Sequence, residues 1–204
     1  MLIRVKEFPK LRPQDYNKVR PKIHSGDLLL CSGSAFLSRL IQKATKSIWS
    51  HVAFVVRLDA IDRIMVMESV ESSGVRTVPL SHYIRNYAGN DKGYPGKLLL
   101  ARHRDFEAVK PRQLNRMSQF AVDLFGYPYD SQEILRIAGR IGKSLLGISD
   151  SHPKRNREYI CSEYAWECYN RLGIRIDYDS RGFVAPKDFA KSRKVIPVAA
   201  LKVK

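Results

Sequence analysis

The chain has 204 residues, of which 44% are hydrophobic, and its formal net charge is +16. This length and composition fit a single globular domain with a core of its own, and they exclude a disordered chain. No apolar run reaches the roughly 18 residues that cross a bilayer, and the first residues lack the apolar stretch of a secretory signal. We therefore expect a cytoplasmic protein without a transmembrane segment.

Cysteine usage indicates a reducing compartment. The three cysteines, Cys31, Cys161 and Cys168, are too few and odd in number for a disulfide framework. No pair of Cys or His residues has the spacing of a zinc finger, so no structural metal is expected. The segment from Gly139 to Ser144 looks like a phosphate-binding loop, but Ile137 stands where that loop needs a glycine, so no nucleotide is expected either.

The positive charge is compatible with several kinds of anionic partner and selects none of them. The 36 Lys and Arg residues, against 20 Asp and Glu, suit an anionic membrane or envelope surface, an acidic polymer or a nucleic acid. Such a charge can equally do no more than keep a protein dispersed. Nucleic acid is the less favoured partner, because the sequence contains no recognised nucleic-acid-binding motif.

The first half of the chain divides into a basic segment and a series of strands. Residues 1–22 are basic, rich in proline and without periodicity, and are predicted to form an extension to a domain of residues 23–204. A turn at 25–27 leads into a buried strand at 28–31, and Ser34 is predicted to cap a helix. The apolar residues of that helix are Phe36, Leu37, Leu40, Ile41 and Ala44. β-Branched and apolar runs predict further strands at 50–56, 64–69, 74–78 and 97–101.

The remainder of the chain is predicted to be mainly helical. Pro79 opens a short helix, and Pro111 begins a longer one. Further helical segments are predicted at 134–146, 161–172 and 186–190, and a last strand at 195–203. The predicted fold class is α+β, with a mostly antiparallel sheet packed against helices.

Cys161 is a candidate nucleophile. It stands where a polar loop meets a predicted helix, and the unpaired N–H groups and positive dipole at a helix start stabilise a thiolate. Arg155 and Arg157 add positive charge nearby. Cys161 also shares an apolar helix face with Cys168, so the sequence leaves open that it is a small buried thiol of the core.

A thiolate nucleophile needs a base, and the base needs a group that orients it. His51 begins one predicted strand, and Glu68 lies near the end of the next. If Val56 pairs with Arg63, the antiparallel register places His51 directly opposite Glu68, with both side chains on one face of the sheet. A slip of one residue would bring Ser69 opposite His51 instead.

These segments resemble a known superfamily. The motif around Cys161, Tyr-Ile-Cys-Ser-Glu-Tyr-Ala-Trp, looks like the nucleophile motif of the NlpC-type papain-like hydrolases, and residues 50–55 look like their histidine strand. The nucleophile follows the histidine here, an order that resembles the circularly permuted YiiX/YebB-like (YaeF-like) branch. Further segments resemble parts of that branch, at 25–30, 67–69, 125–129 and 186–189. The resemblance implies a circularly permuted papain-like (NlpC-type) fold.

The resemblance also implies an activity, that of a cysteine peptidase or amidase that works through a thioester. It implies Cys161 as the nucleophile and His51 as the base. It implies Glu68 as the group that orients His51, and Tyr129 as a further donor at the active site. Nearby alternatives are Glu71 for Glu68, and Tyr127 or Tyr159 for Tyr129. No metal or organic cofactor is implied.

The substrate class stays open at this stage. The superfamily implies peptide-like substrates, such as peptidoglycan peptides and isopeptides, or acyl lipids. The first alternative function is an acyltransferase with the same site, which passes the acyl group to an amine or a lipid instead of water. The second is a non-catalytic module that binds nucleic acid or an anionic surface.

Overall fold

One antiparallel sheet organises the fold. The computed structural model describes residues 11–130, 160–178 and 183–204. Within them, six strands form a single sheet in the order β4–β3–β2–β1–β5–β6. Strands β1 to β6 are, in chain order, Leu28–Gly33, His51–Leu58, Arg63–Val70, Gly74–Pro79, Gly96–His103 and Val195–Leu201.

Helices cover the sheet and are numbered here over the described residues. Helices α1 to α6 are Tyr16–Val19, Phe36–Thr45, Leu80–Arg85, Pro111–Asp123, Cys161–Arg171 and Pro186–Lys191. Short 3-10 helices lie at Arg20–Lys22, Asp59–Ile61, Tyr87–Gly89 and Arg104–Ala108. In the described part of the chain, no helix combines the length and the apolar character that a bilayer crossing requires. The predicted helix at 134–146 lies outside the described residues.

Each face of the sheet carries its own hydrophobic core. Leu28 and Leu30 belong to the core beneath α4, α5 and α6. Leu29 and Cys31 belong to the core on the other face, beneath α1 and α3. A strand that is buried on both faces has a continuous apolar run instead of an alternating pattern, which is why β1 could be recognised from its sequence.

The predicted α+β class and antiparallel sheet are confirmed. Every predicted strand is present, with its ends moved by no more than two residues. The predicted cap of α2 is wrong, because Ala35 occupies the N-cap position and its side chain makes no capping hydrogen bond. Ser34 instead donates its hydroxyl proton to the carbonyl of Pro95, at 2.9 Å, and so ties the start of α2 to the loop before β5.

The register predicted for the β2–β3 hairpin is wrong by two residues. Val56 pairs with Met65 instead of Arg63, and Leu58 is the residue opposite Arg63. The hairpin is tighter than predicted because a 3-10 turn closes it, followed by Asp62 at a left-handed φ of 50°. A shift of two residues keeps the same side chains on the same face, so His51 and Glu68 still share a face but are not directly opposite.

Part of the segment predicted as an extension packs against the sheet. Gln14 forms a parallel bridge to Leu201 at the edge of β6. Val19 in α1 is fully buried in the core on that side. Residues 14–22 therefore lie against the domain instead of extending from it. The division of the chain at residue 22 stays a prediction, since residues 1–10 lie outside the described part.

Candidate active site

Cys161 lies at the first position of α5. Its side chain is only 3% exposed. The start of the helix is fixed by Glu163, which accepts a hydrogen bond from the backbone N–H of Ile160 at 3.4 Å. Ser162 donates its hydroxyl proton to the carbonyl of Val184 at 2.7 Å. The thiol therefore sits among the first backbone N–H groups of a well-anchored helix, where negative charge is stabilised.

The other two cysteines are core residues. Cys168 is fully buried in the core beneath α5, and burial raises the pKa of its thiol. Cys31 is fully buried on β1, and burial, followed by the charges of Glu68 and Cys161, raises the pKa of its thiol well above the ordinary value. Both are expected to stay protonated and unreactive, in contrast to a cysteine at a helix start.

His51 connects the thiol with a buried carboxylate. Its Nε2 lies 3.0 Å from Oε2 of Glu68, and its ring lies close enough to Cys161 for the two side chains to interact, which raises the pKa of His51. The His51 side chain is 14% exposed, whereas that of Glu68 is completely buried. The structure thus brings together the three residues that the sequence predicted as nucleophile, base and orienting group.

Two further side chains hold Glu68, and the sequence analysis missed both. Arg76, which lies opposite Glu68 on β4, donates from Nε to Oε1 at 3.0 Å. Tyr83 on α3 donates its hydroxyl proton to Oε2. A register for the β3–β4 hairpin would have indicated Arg76, but no sequence signal indicates Tyr83, which reaches the strand from a packed helix.

Charge interactions within this group offset the effect of burial. Burial lowers the pKa of His51, but interactions with Cys161 and with Glu68 outweigh it and raise that pKa to about 10. Burial raises the pKa of Glu68, but the hydrogen bond and charge of His51, the charge of Arg76 and the Tyr83 hydroxyl outweigh it and lower that pKa. A carboxylate that stays ionised favours the imidazolium form of its histidine partner.

Tyr129 lies near Cys161, in the loop after α4. Its ring packs with Ile160 and Phe183. Burial, followed by the charge of Cys161, raises the pKa of its hydroxyl, which therefore remains a hydrogen-bond donor. Tyr127, the alternative, packs against the core on the face that α5 covers, and its carbonyl accepts from the backbone of Val75 at 2.9 Å.

The remaining alternatives differ in position. Glu71 is exposed just beyond the end of β3, whereas Glu68 is buried and bonded to His51. The geometry thus favours Glu68 as the partner of the histidine. Tyr159 lies outside the described residues.

An apolar pocket opens beside Cys161. One wall is the face of α2 that carries Leu40, Ile41 and Ala44. The opposite wall is the segment Phe183–Pro186, which leads into α6. The enclosed part of the pocket is small, about 30 Å³, and it opens into a wide mouth; with that mouth and the open solvent in it the empty space is about 400 Å³. Because its lining is almost wholly apolar, this pocket suits an apolar group attached to the carbon that the thiol would attack.

The sequence also matches a family model, which describes a permuted papain-like amidase, the YaeF/YiiX or C92 family. The match covers residues 22–136, more than half of the chain. The chain belongs to this family. The matched stretch contains His51, Glu68 and Tyr129 and ends before Cys161, so the family match and the cysteine are independent observations. The predicted family and enzyme class, a papain-like amidase or cysteine peptidase, are thereby confirmed.

A solved structure supports the fold of this YaeF/YiiX family member. The chain is similar to the crystal structure of the metalloprotein yiiX from Escherichia coli O157:H7, with a TM-score of 0.61 and 20% sequence identity. The alignment covers 88% of this chain and 98% of that one. No curated protein is similar enough to this chain to count as a match.

The described residues offer no obvious place for a metal ion. No group of three or more His, Cys, Asp or Glu side chains within 11–130, 160–178 and 183–204 is arranged to hold one. Near the candidate nucleophile, His51 and Glu68 are engaged with each other, and Glu68 is also bonded to the cation of Arg76. A cation beside Arg76 would be repelled, so these residues do not fit a metal ligand set.

Proposed function

We propose that this YaeF/YiiX family member hydrolyses an amide or related acyl bond through Cys161. The observation that carries the proposal is the pair of His51 and the buried carboxylate of Glu68, 3.0 Å apart, which lies beside Cys161 at the start of α5. Such a pair gives a thiol at a helix start both a base and a fixed ring orientation.

His51 would act first as base and then as acid. With its Nε2 proton donated to Glu68, Nδ1 is the ring nitrogen that holds the proton taken from Cys161, in keeping with the raised pKa of His51. The thiolate attacks the acyl carbon, a C–S bond forms, and the C–N bond breaks as the imidazolium gives its proton to the leaving amine. Water then attacks the thioester, with His51 taking one proton from it, and the acid is released as the thiol is restored.

Two donors would stabilise the oxyanion of the tetrahedral intermediate. The backbone N–H of Cys161 is among the unpaired donors at the start of α5. The hydroxyl of Tyr129, which lies near Cys161, would supply a second donor, and burial keeps it protonated. Donors that are held in place before the reaction act on the charge that develops in the transition state.

The apolar pocket supports a substrate with an apolar acyl group. Peptide-like substrates with a large apolar side chain and acyl lipids both meet this requirement. The pocket lining does not decide whether water or an amine receives the acyl group. An acyltransferase is therefore the alternative function, and the experiment below distinguishes it from a hydrolase.

We also propose an anionic surface as the partner of α2. Phe36 is 85% exposed, and Arg39 and Lys43 follow it on the same side of the helix, at spacings of three and four residues. The chain has no Asp or Glu between residues 28 and 58. An exposed aromatic ring beside cations is typical of helices that lie on anionic membranes, and the sequence contains no recognised nucleic-acid-binding motif.

The test of the proposed reaction is acylation of Cys161. The protein is incubated with a panel of N-acyl p-nitroanilides and p-nitrophenyl esters of increasing acyl length, quenched in acid and mapped by mass spectrometry. We expect an acyl group on Cys161 and none on Cys31 or Cys168, with release of free acid in water. Acyl transfer to an added amine in preference to water would indicate an acyltransferase. Turnover that persists in Cys161→Ala would contradict both.

A further inference from the structure

The carboxylate of Glu68 is held on three sides by donors from three different elements. His51 on β2 and Tyr83 on α3 both lie on Oε2, whereas Arg76 on β4 lies on Oε1. Each oxygen is therefore committed to a protein donor. A carboxylate with both oxygens bound cannot rotate away from the histidine without breaking another hydrogen bond.

Tyr83 is itself fixed by packing. It is 1% exposed, and its ring stacks on Tyr94 with ring centroids 5.4 Å apart. Tyr87 packs edge-on against it at 5.1 Å. Burial and then the charge of Glu68 raise the pKa of the Tyr83 hydroxyl well above its ordinary value, so that it stays a donor to the carboxylate. Arg76 is held as well, through a hydrogen bond from its NH1 to Ser73 at 3.2 Å.

We propose that Arg76 and Tyr83 are positioning residues of the active site, which keep the Glu68 carboxylate in place against Nε2 of His51. They touch neither the thiol nor the substrate pocket, and they act only through Glu68. The inference rests on the proposed function of Cys161 and His51. It adds that Arg76 and Tyr83, acting through Glu68, set the pH range over which Cys161 and His51 work.

The charges around Glu68 make its ionisation depend on these donors. The titratable groups that face it from the surrounding elements are His51, Arg76, Tyr83, Tyr87 and Cys31. Burial raises the pKa of Tyr87 to about 12 and also raises that of Cys31, so both are neutral near pH 7. Among the described residues that face Glu68, Arg76 and the His51 imidazolium supply positive charge, and loss of either charge or hydrogen bond favours protonation of Glu68.

The alternative is that these donors merely satisfy a buried acid. Any buried carboxylate needs partners, and removing one destabilises the fold whether or not the acid takes part in a reaction. A purely structural role would lower the melting temperature but would leave the pH profile of Cys161 unchanged. The pH profile is therefore the informative measurement.

The experiment measures the rate of alkylation of Cys161 by iodoacetamide from pH 4 to 10, resolved by site with mass spectrometry. We compare Arg76→Gln, Tyr83→Phe and Glu68→Gln with the wild type. Removing a donor should raise the pH at which Glu68 becomes protonated. A neutral Glu68 stabilises the imidazolium of His51 less, so that Cys161 becomes less reactive. We expect the acid limb of the profile to move up by about one pH unit in Arg76→Gln, and by less in Tyr83→Phe.

Matched variants separate positioning from general damage. Arg63→Gln removes an exposed arginine from the neighbouring strand, and Tyr87→Phe removes a hydroxyl from the same aromatic group. Both should keep the wild-type profile. Arg76→Lys restores the charge and should recover most of the shift. Because Tyr83 acts through Glu68, adding Tyr83→Phe to Glu68→Gln should move the profile no further.

The outcomes distinguish this proposal from the proposed function. If wild-type Cys161 reacts no faster than Cys168, the proposed function itself fails. If wild-type Cys161 is activated but Arg76→Gln and Tyr83→Phe keep its acid limb while melting at lower temperature, the two donors are structural only and the positioning proposal is overturned. A variant that does not fold is replaced by another that also removes the donor, Arg76→Met or Tyr83→Leu, and the same shift of the acid limb is expected.

Discussion

Nε2 of His51 lies 3.0 Å from Oε2 of Glu68, although neither residue stands directly opposite the other in the sheet. The β2–β3 ladder runs with Phe54 opposite Met67, so the two side chains meet on a diagonal across the strands. Long side chains on one face of an antiparallel pair can reach a diagonal neighbour. The hairpin therefore joins the histidine to a buried carboxylate beside the start of α5.

The first prediction concerns Glu68. In Glu68→Gln the amide presents either a neutral acceptor or an N–H to Nε2, so His51 loses the charge that favours its imidazolium and its tautomer is no longer fixed. We expect kcat for a p-nitroanilide substrate to fall by about 10²- to 10⁴-fold, as for the loss of the orienting acid in related triads. Glu71→Gln, which changes an exposed carboxylate three residues away, is the control. Equal losses in the two variants would contradict the assignment.

Tyr129 is tested by removal of a single oxygen. Tyr129→Phe keeps the ring that packs with Ile160 and Phe183 but deletes the hydroxyl that we propose as oxyanion donor. We expect acylation to slow by about 10- to 10³-fold while alkylation of Cys161 by iodoacetamide, which forms no oxyanion, keeps its rate. Tyr127→Phe serves as the matched control in the same loop. A parallel loss in alkylation would show that Tyr129 shapes the site instead of stabilising the oxyanion.

The apolar pocket predicts which substrates are accepted. Ala44→Trp places a large ring on the wall of α2 that faces Cys161 and should reduce turnover of long-chain or aromatic acyl substrates more than that of acetyl substrates. Lys43→Trp puts the same ring on the exposed side of the same helix and is the control. The measurement is kcat/KM across the acyl series. A uniform loss for all acyl lengths would argue against the pocket as the acyl site.

The basic side of α2 predicts binding to anionic surfaces. Replacing Arg39, Lys43 and Lys46 by Gln should weaken co-sedimentation with phosphatidylserine vesicles, and Phe36→Ser should weaken it further. The control is Arg104→Gln with Arg112→Gln and Arg116→Gln, which removes three exposed charges elsewhere. Neutral phosphatidylcholine vesicles should bind neither. Equal losses in both charge variants, or tighter binding to DNA than to vesicles, would contradict a membrane role for α2.

Much of the fold follows from short-range patterns in the sequence. The strands were predictable because β1 to β5 carry apolar or β-branched runs, and α4 was predictable from its proline start and apolar face. Strand pairing was less predictable, because the hairpin loop that ends at Asp62 could contain four residues or six. Only the turn that forms in the structure decides between these two lengths. The pairing of His51 with Glu68 survives the error because the two registers differ by an even number.

The side-chain contacts around the site could not be predicted from the sequence. Tyr83 reaches Glu68 only because α3 packs on the face of the sheet that carries Ile64 and Val66. Cys161 reaches His51 only because α5 crosses the other core, where Tyr164 donates to the carbonyl of Ala121 at 3.0 Å. These contacts depend on how helices pack on a finished sheet, and no local spacing encodes them.

The most direct test of an activated Cys161 is its alkylation by iodoacetamide across pH, in the wild type and in His51→Ala. The pKa of His51 is raised to about 10, so the imidazolium is present below that pH and is lost as the pH rises through it. Cys161, held beside that imidazolium, should therefore be alkylated at pH 6 far faster than Cys31 or Cys168, whose thiols are buried in the core. In His51→Ala the alkylation rate of Cys161 at pH 6 should fall sharply. A wild-type Cys161 as inert as Cys168, or one whose profile does not change in His51→Ala, would contradict the account.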